Sequence, residues 1–259
     1  MDFIKEQYTI DDLFEILTIL RGENGCPWDR VQTHESIKKN MIEECYEAVD
    51  ALDNGSDKDF ANELGDVLLQ VAFHAQLAGE RGAFSFDDVL NELCTKLITR
   101  HTHVFGNDKA DSADEALTSW EKNKKKEKKL DTYTEVLKDV PNYLPALMRA
   151  EKIQKKAGDT GFDWTDINDV YDKIEEEIDE VRQAKTAEER EEELGDLLFS
   201  VVNLGRFLKV NSETALTNAS NKFIRRFAML EGEVKAQGRE LSDLDLTEMD
   251  QIWEKIKKK

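Results

Sequence analysis

The sequence contains two copies of one segment, and this repeat constrains the fold more than any other feature. Residues 61–71 read ANELGDVLLQV and residues 191–201 read EEELGDLLFSV. A second pair of segments, SWEKNKKK around Trp120 and IWEKIKKK around Trp253, also matches. The matches keep their order, at separations of 130 and 133 positions, which chance similarity between helices would not produce. We therefore predict that a whole folding unit was duplicated.

Apolar residues recur at three- and four-residue spacings through most of the chain, which is the pattern of amphipathic helices. The positions concerned are Leu64, Val67, Leu68, Val71, Ala72 and Ala75 in the first copy and Leu194, Leu197, Leu198, Val201 and Val202 in the second. We expect each set to form one buried stripe. The predicted fold class is all-α, with two tandem homologous helical-bundle units joined by a linker.

The boundary between the units is expected after a lysine-rich run that has no sustained apolar stripe. Pro141 and Pro145 follow this run and interrupt helical structure. The predicted organisation is an N-terminal helical domain at residues 1–126, a linker at 127–145 and a C-terminal helical domain at 146–259.

The charge balance limits the classes of partner. Asp and Glu number 56 against 36 Lys and Arg, so the formal net charge is −20. Such a surface repels polyanions, and we expect no direct binding to nucleic-acid polymers or membranes. The three cysteines show no CxxC spacing, and no stretch approaches the roughly 18 apolar residues of a membrane span, which favours a cytoplasmic protein.

Each half carries two pairs of carboxylates at helical spacing. The pairs are Glu44 with Glu47 and Glu63 with Asp66 in the first half, and Glu177 with Glu180 and Glu193 with Asp196 in the second. Residues three apart lie on the same face of a helix. The chain between the pairs is long enough to finish one helix, turn and run back antiparallel. Four carboxylates can then converge in each half.

Converging carboxylates must be neutralised by cations or splay into solvent, because desolvated like charges are costly. In so acidic a chain a single pair usually belongs to a solvated face, but the repeated order in both halves favours a metal site. Oxygen ligands select hard cations, so Mg²⁺ is expected, with Mn²⁺ as a substitute. Gly65 and Gly195 stand between the acids of the second pairs, which suggests close approach to the backbone there.

Three longer motifs accompany the carboxylates: GENGCPWDRVQTHESI at 22–37, LPALMRAEKIQKKA at 144–157 and GFDW at 161–164. With them the sequence closely resembles, over essentially its whole length, the MazG-type nucleoside triphosphate pyrophosphohydrolases of the all-α NTP pyrophosphatase superfamily. The resemblance implies hydrolysis of NTPs and dNTPs to the monophosphate and pyrophosphate. It also implies Mg²⁺ held by the carboxylate pairs, and a homodimer.

The resemblance assigns the working site to the C-terminal half. Its catalytic and metal-binding residues are Glu177, Glu180, Glu193 and Asp196, and its nucleotide-contacting residues are Lys173, Lys222, Arg225, Arg226 and Trp253. Glu176 and Glu192 are added to the substrate-binding set because they adjoin the ligands. Either could take the proton of the attacking water, and the sequence does not choose between them. Trp253 could stack on a base or pack a last helix. Glu44, Glu47, Glu63 and Asp66 form a candidate second metal site.

The residues themselves favour unequal halves. Lys173 stands four positions before Glu177, whereas the equivalent position before Glu44 is Asn40. Likewise, Arg225 corresponds to Thr99 of the first half. Fewer cations should weaken the grip of the N-terminal half on phosphates, although Lys38, Lys39, Lys96 and Arg100 leave this open.

Two other functions stay open at this point. One is a non-catalytic helical regulator that binds nucleotides, and the other is a narrow-specificity dNTP pyrophosphatase, such as a dUTPase-like enzyme. The complete carboxylate and basic sets of the C-terminal half argue against the regulator. The duplicated architecture favours the broader enzyme.

Overall fold

The structure is a computed structural model that describes residues 4–258, and within that range all regular structure is helical. The first helices are α1 (Ile10–Arg21), α2 (Pro27–Arg30), α3 (His34–Asn54), α4 (Asp57–Glu80), α5 (Phe86–Arg100), α6 (Thr102–Phe105) and α7 (Ala113–Glu127). They are followed by α8 (Tyr133–Lys138), α9 (Ala146–Gly158), α10 (Ile167–Gln183), α11 (Ala187–Phe207), α12 (Ser212–Ala236) and α13 (Leu246–Ile256). None of these helices is long and apolar enough to cross a membrane.

The chain divides into two compact units, one ending at Lys124 and the other starting at Lys125. Helix α7 runs across this division. The segment 127–145, which the sequence suggested as a linker, contains helix α8, and α8 packs against α9 in the second unit. The predicted all-α fold with two tandem units is confirmed.

In the first unit, α3 and α4 form an antiparallel hairpin because the signals that end one helix and start the next are almost adjacent. Helix α3 ends at Asn54, and Gly55 caps it. Ser56 then begins α4, since its hydroxyl accepts a hydrogen bond from the backbone N–H of Asp59, whose carboxylate accepts one in return. With a two-residue connection, the second helix has to run back along the first.

The same arrangement recurs in the second unit with α10 and α11. The side chain of Asp166 caps the start of α10. Thr186 and Glu189 form the reciprocal capping box that begins α11, three residues after α10 ends. These hairpins are the most extensively packed helix pairs of their units. They bring the first carboxylate pair of each half opposite the second.

The second helix of each hairpin is the centre of its unit. Helix α4 packs against α1, α3 and α5, and α11 packs against α9, α10 and α12. The core of the first unit comprises Leu17, Ile37, Ala72, Phe73 and Leu77. A core cluster of the second unit comprises Leu230, Val234, Leu244 and Ile256.

The expectation of one buried stripe in each repeat is only partly met. Ala72, Ala75 and Val202 are buried, but Leu64 is 48% exposed and Leu194 is 50% exposed. The physical reason is the small number of helices in each unit. The three neighbours of α4, and likewise of α11, leave part of the apolar surface of the central helix uncovered.

Candidate active site

The hairpin of the second unit brings together three of the four predicted metal ligands. Glu177 and Glu180 lie on α10 and Glu193 lies on α11, and one carboxylate oxygen from each is within 4.8 Å of the others. Asp196 lies outside this group of three. It lines the adjoining cavity beside Glu177, and it is close enough for its charge to act on Glu193.

Glu177 is the most buried member of the group, with only 3% of its surface exposed. Its Oε1 atom lies 2.8 Å from Lys173 Nζ, which also donates to Glu176 at 2.8 Å. Its Oε2 atom is fully buried and has no hydrogen-bond partner in the described chain. A buried carboxylate oxygen without a partner is unfavourable. A bound cation would satisfy it, so the residues present fit a metal.

Desolvation and repulsion between acids both act on the group. Desolvation, followed by the negative charges of Glu180 and Glu192, raises the pKa of Glu193 above its ordinary value. Hydrogen bonds to Glu176 and then to Glu177 raise the pKa of Lys173, which keeps the ammonium charged. One lysine offsets only part of the negative charge that these carboxylates carry.

The donor atoms of the second unit indicate the class of metal. From Lys125 to the end, the sequence contains neither histidine nor cysteine. Nitrogen and sulfur side-chain ligands of the kind that favour zinc or copper are therefore missing from this unit. Carboxylates alone favour a hard divalent cation.

The first unit has a related group, formed by Glu44, Glu63 and Asp66 within 4.8 Å of one another. Glu47 is exposed and lies outside it. Desolvation, followed by the charge of Asp66, raises the pKa of Glu44. In the described part of the chain, none of these four acids has a fully buried oxygen that lacks a partner. Binding of a cation would therefore relieve a smaller desolvation cost at this group than at Glu177.

A cleft of about 660 Å³ opens beside Glu177 and Asp196 in the second unit. Its walls are mostly apolar and include Ile153, Phe162, Trp164 and Phe199, and its polar lining includes Gln154, Ser200 and Asn203. The sequence alone assigned no chemistry to Phe162 or Trp164. The GFDW motif that contains them was the available signal.

An ion pair fastens the loop that carries Phe162 and Trp164. Arg206 of α11 donates two hydrogen bonds to Asp163, at 2.7 and 2.5 Å, and two to the side-chain oxygen of Asn203. Arg206 thereby lowers the pKa of Asp163. This paired contact ties the loop to α11, and Phe162 and Trp164 line the cleft from it, with 84% and 42% of their surfaces exposed.

The corresponding place in the first unit is nearly filled. A cavity of about 100 Å³ lies there, lined by Leu17, Trp28, Asn40, Gln70 and Phe73 among others. By the 130-residue repeat, Gln70 and Phe73 stand where the second unit has the smaller Ser200 and Asn203. Small-molecule pockets typically measure about 300–1,000 Å³. The cleft beside Glu177 falls in that range, and the first-unit cavity falls below it.

The remaining predicted nucleotide contacts lie on other helices. Lys222 and Arg225 are exposed on α12, with Arg226 partly buried beside them. Trp253 lies on α13, where it packs against the core cluster of the unit, with its ring centroid 5.3 Å from that of Phe223. In the described chain, none of these four residues lines the cleft. Their contact with a nucleotide stays a prediction.

The two glycines between paired acids face open space. An added Cβ at Gly65 or Gly195 would meet no atom of the described chain within 4 Å. Packing inside the chain therefore does not explain why glycine occupies these positions.

Comparison with known proteins agrees with this geometry. The family model described as the MazG nucleotide pyrophosphohydrolase domain matches residues 32–105 and 166–229, so that each match contains one carboxylate hairpin. The nucleoside triphosphate pyrophosphohydrolase/pyrophosphatase MazG of Thermotoga maritima is 48% identical over 247 residues, 95% of each chain. The nucleoside triphosphate pyrophosphohydrolase of Escherichia coli K12 is 45% identical over 255 residues, 96% of this chain and 97% of that protein.

A further relative matches a smaller part. The nucleoside triphosphate pyrophosphohydrolase of Mycolicibacterium smegmatis is 40% identical over 137 residues, which is 52% of this chain and 42% of that protein. Two matches to the family model, together with relatives aligned over nearly the full length, establish the relationship. The chain belongs to the MazG nucleotide pyrophosphohydrolase family.

Proposed function

We propose that this chain is a nucleoside triphosphate pyrophosphohydrolase that converts NTPs and dNTPs to the monophosphate and pyrophosphate in its C-terminal unit. The observation that carries the proposal is the unpartnered oxygen of Glu177 within a carboxylate group that adjoins a nucleoside-sized cleft. The names of the two relatives aligned over nearly the full length support the reaction.

In the proposed mechanism, Glu177, Glu180 and Glu193 hold Mg²⁺, or Mn²⁺ as a substitute, and Asp196 completes the set from α11. When bound, the cation supplies charge neutralisation on the triphosphate oxygens and lowers the pKa of water. Lys173 lies at the cleft in contact with Glu177, where it can bind a phosphate oxygen. The exposed carboxylates of Glu176 and Glu192 are the candidates to accept the proton from water.

Three cations and one aromatic residue extend this proposal. Lys222, Arg225 and Arg226 would hold the phosphates in line with the attacking water, since exposed guanidinium and ammonium groups can donate several hydrogen bonds to phosphate. Trp253 would stack on the base. In the described chain these residues do not line the cleft. Their proposed roles therefore require that α12 and α13 contact the substrate from outside the cleft, or contact it from a second subunit.

The two units are proposed to be unequal, with turnover in the second. Lys173 beside Glu177 is replaced by Asn40 in the first unit. The cleft of about 660 Å³ is matched there by a cavity of about 100 Å³. Glu44, Glu47, Glu63 and Asp66 remain as an accessory metal site without room for a nucleoside beside it.

The chain is further proposed to be a homodimer. Its α11 and α12 helices expose a run of large apolar side chains, comprising Leu194, Leu198, Val201, Phe223, Ile224 and Phe227, each at least 42% exposed. Large apolar side chains exposed at helical spacing on two helices that pack together are typical of an interaction site. A second copy of the chain is the simplest partner, because most soluble oligomers are two-fold symmetric dimers of one chain.

Glu193→Gln should lower kcat/KM for pyrophosphate release by about 10² or more, the scale of losing a catalytic group. Glu63→Gln, the matched change in the first unit, should cost far less. Pyrophosphate and inorganic phosphate are quantified separately with ATP or dTTP and Mg²⁺, with and without EDTA, and circular dichroism checks folding.

Inorganic phosphate as the main product, or activity that survives EDTA, would contradict the proposed reaction. Equal losses in the two variants would contradict the unequal units.

Mg²⁺ or Mn²⁺ should raise the melting temperature of the wild-type chain, and Glu193→Gln should reduce this rise. In EDTA, the variant should melt at or above the wild-type temperature. Folding raises the pKa of Glu193, so its ionised carboxylate destabilises the folded state. This destabilisation is fully present above the folded-state pKa and is absent below the unfolded-state pKa. An uncharged glutamine removes the repulsion at neutral pH. Differential scanning calorimetry tests this, and a variant less stable than wild type in EDTA would show that repulsion does not dominate the group.

The intact chain should have twice its chain mass of 29.8 kDa at micromolar concentration. Light scattering coupled to size exclusion measures this mass directly. Leu198→Glu together with Phe223→Glu should shift the chain towards monomer, because charges placed on an apolar interface are desolvated without partners. Ile19→Glu, at another exposed apolar position, serves as the control. A wild-type monomer that is fully active would end the dimer proposal.

A further inference from the structure

Gln154 is the one buried residue of helix α9, and it lines the cleft. Its side-chain nitrogen Nε2 donates a hydrogen bond to the backbone carbonyl of Phe199, at 2.7 Å. Since a carbonyl oxygen can only accept, the NH₂ end of the amide has to face Phe199. The other end, Oε1, is fully buried and has no hydrogen-bond partner in the described chain. Gln154 therefore offers a free acceptor at Oε1, while one of the two N–H bonds of its Nε2 is used on Phe199.

The surroundings of Gln154 indicate which part of a nucleotide lies beside it. At one side of the cleft lie Lys173 and Glu177, where charge favours the phosphates and their cation. The remaining walls include the aromatic rings of Phe162, Trp164 and Phe199. Flat apolar surfaces of this kind suit a nucleobase, because every base has a π-face. A base among these rings needs donors or acceptors from the few polar groups of the cleft.

We propose that Gln154 is a specificity-determining residue that accepts a hydrogen bond from an N–H group of the nucleobase. The inference rests on the proposed function and names the chemistry by which the same site recognises its substrate. Adenine and cytosine carry an amino group on their pairing edge, and guanine, uracil and thymine carry a ring N–H. A free acceptor can therefore pair with each of the common bases, and it stays unsatisfied beside a base that has no donor.

Helix α1 of the first unit packs against α4 as α9 packs against α11. Its one buried residue is the apolar Leu17, which lines the small cavity. The one buried residue of α9 is the polar Gln154, which lines the cleft. A helix can therefore pack on this kind of hairpin without a buried amide, which leaves the amide of Gln154 available for recognition.

The test compares ATP with purine riboside triphosphate, which differs by lacking the 6-amino group and so has no N–H on its base. Wild-type kcat/KM should favour ATP by about 10-fold, the factor that one neutral hydrogen bond provides. In Gln154→Leu, which removes the amide and keeps a side chain of similar size, the two substrates should be used equally. Dissociation constants of the corresponding α,β-methylene triphosphates give the same ratio without turnover, so a failure of the hydrolase proposal is separable from a failure of this one.

Two further substrates separate the base from the sugar as the source of the donor. The preferences of the wild type for ATP over 2′-deoxyATP and 3′-deoxyATP should be unchanged in Gln154→Leu. If one of these preferences disappears while the preference over purine riboside triphosphate persists, the donor is a ribose hydroxyl and the proposal is wrong. Equal use of ATP and purine riboside triphosphate by the wild type would also overturn it, and that measurement does not depend on any variant folding.

Discussion

The repulsion among carboxylates held on one helical hairpin is the constraint on which the rest of the structure depends. Side-chain caps at Asp166 and Thr186 begin the two helices of the hairpin, whose packing places Glu177, Glu180 and Glu193 close together. Lys173 compensates one charge, and within the described residues the buried Glu177 Oε2 has no partner. The folded hairpin thus carries negative charge that the chain itself does not compensate. A divalent cation bound with its triphosphate can neutralise this charge, which couples metal binding to the chemistry.

Duplication gave this chain the same hairpin in two surroundings. In the first unit, Leu17 and Phe73 belong to the hydrophobic core and line a cavity of only about 100 Å³. In the second, Asn203 stands where the first unit has Phe73, and it lines an open cleft together with Gln154. A packed interior needs side chains that fill the space at these positions, whereas a binding cleft needs side chains that leave it open. We infer that two copies allow one unit to keep the packing while the other keeps the cleft.

Much of the fold could be predicted from the sequence because its determinants are local. The 3–4 periodicity and the repeated acid pairs predict the hairpins, and three of the four carboxylates predicted to converge in each half do so. The cleft could not be predicted in this way. It depends on contacts between distant positions, such as Arg206 with Asp163 and Gln154 with Phe199, which no periodicity encodes. The exposure of Leu194 was also missed, because amphipathic spacing shows which face is apolar but not whether another helix covers it.

The central claim is that the carboxylates of the second unit hold the metal beside a nucleoside-binding cleft. Anomalous diffraction from crystals grown with Mn²⁺ and an α,β-methylene triphosphate tests it most directly. The account predicts a manganese peak bonded to oxygens of Glu177, Glu180 and Glu193, at close to the distance of about 2.1 Å typical of hard divalent cations, with the base in the cleft next to Gln154. Manganese found only at Glu44, Glu63 and Asp66, or a nucleotide bound away from this cleft, would contradict it.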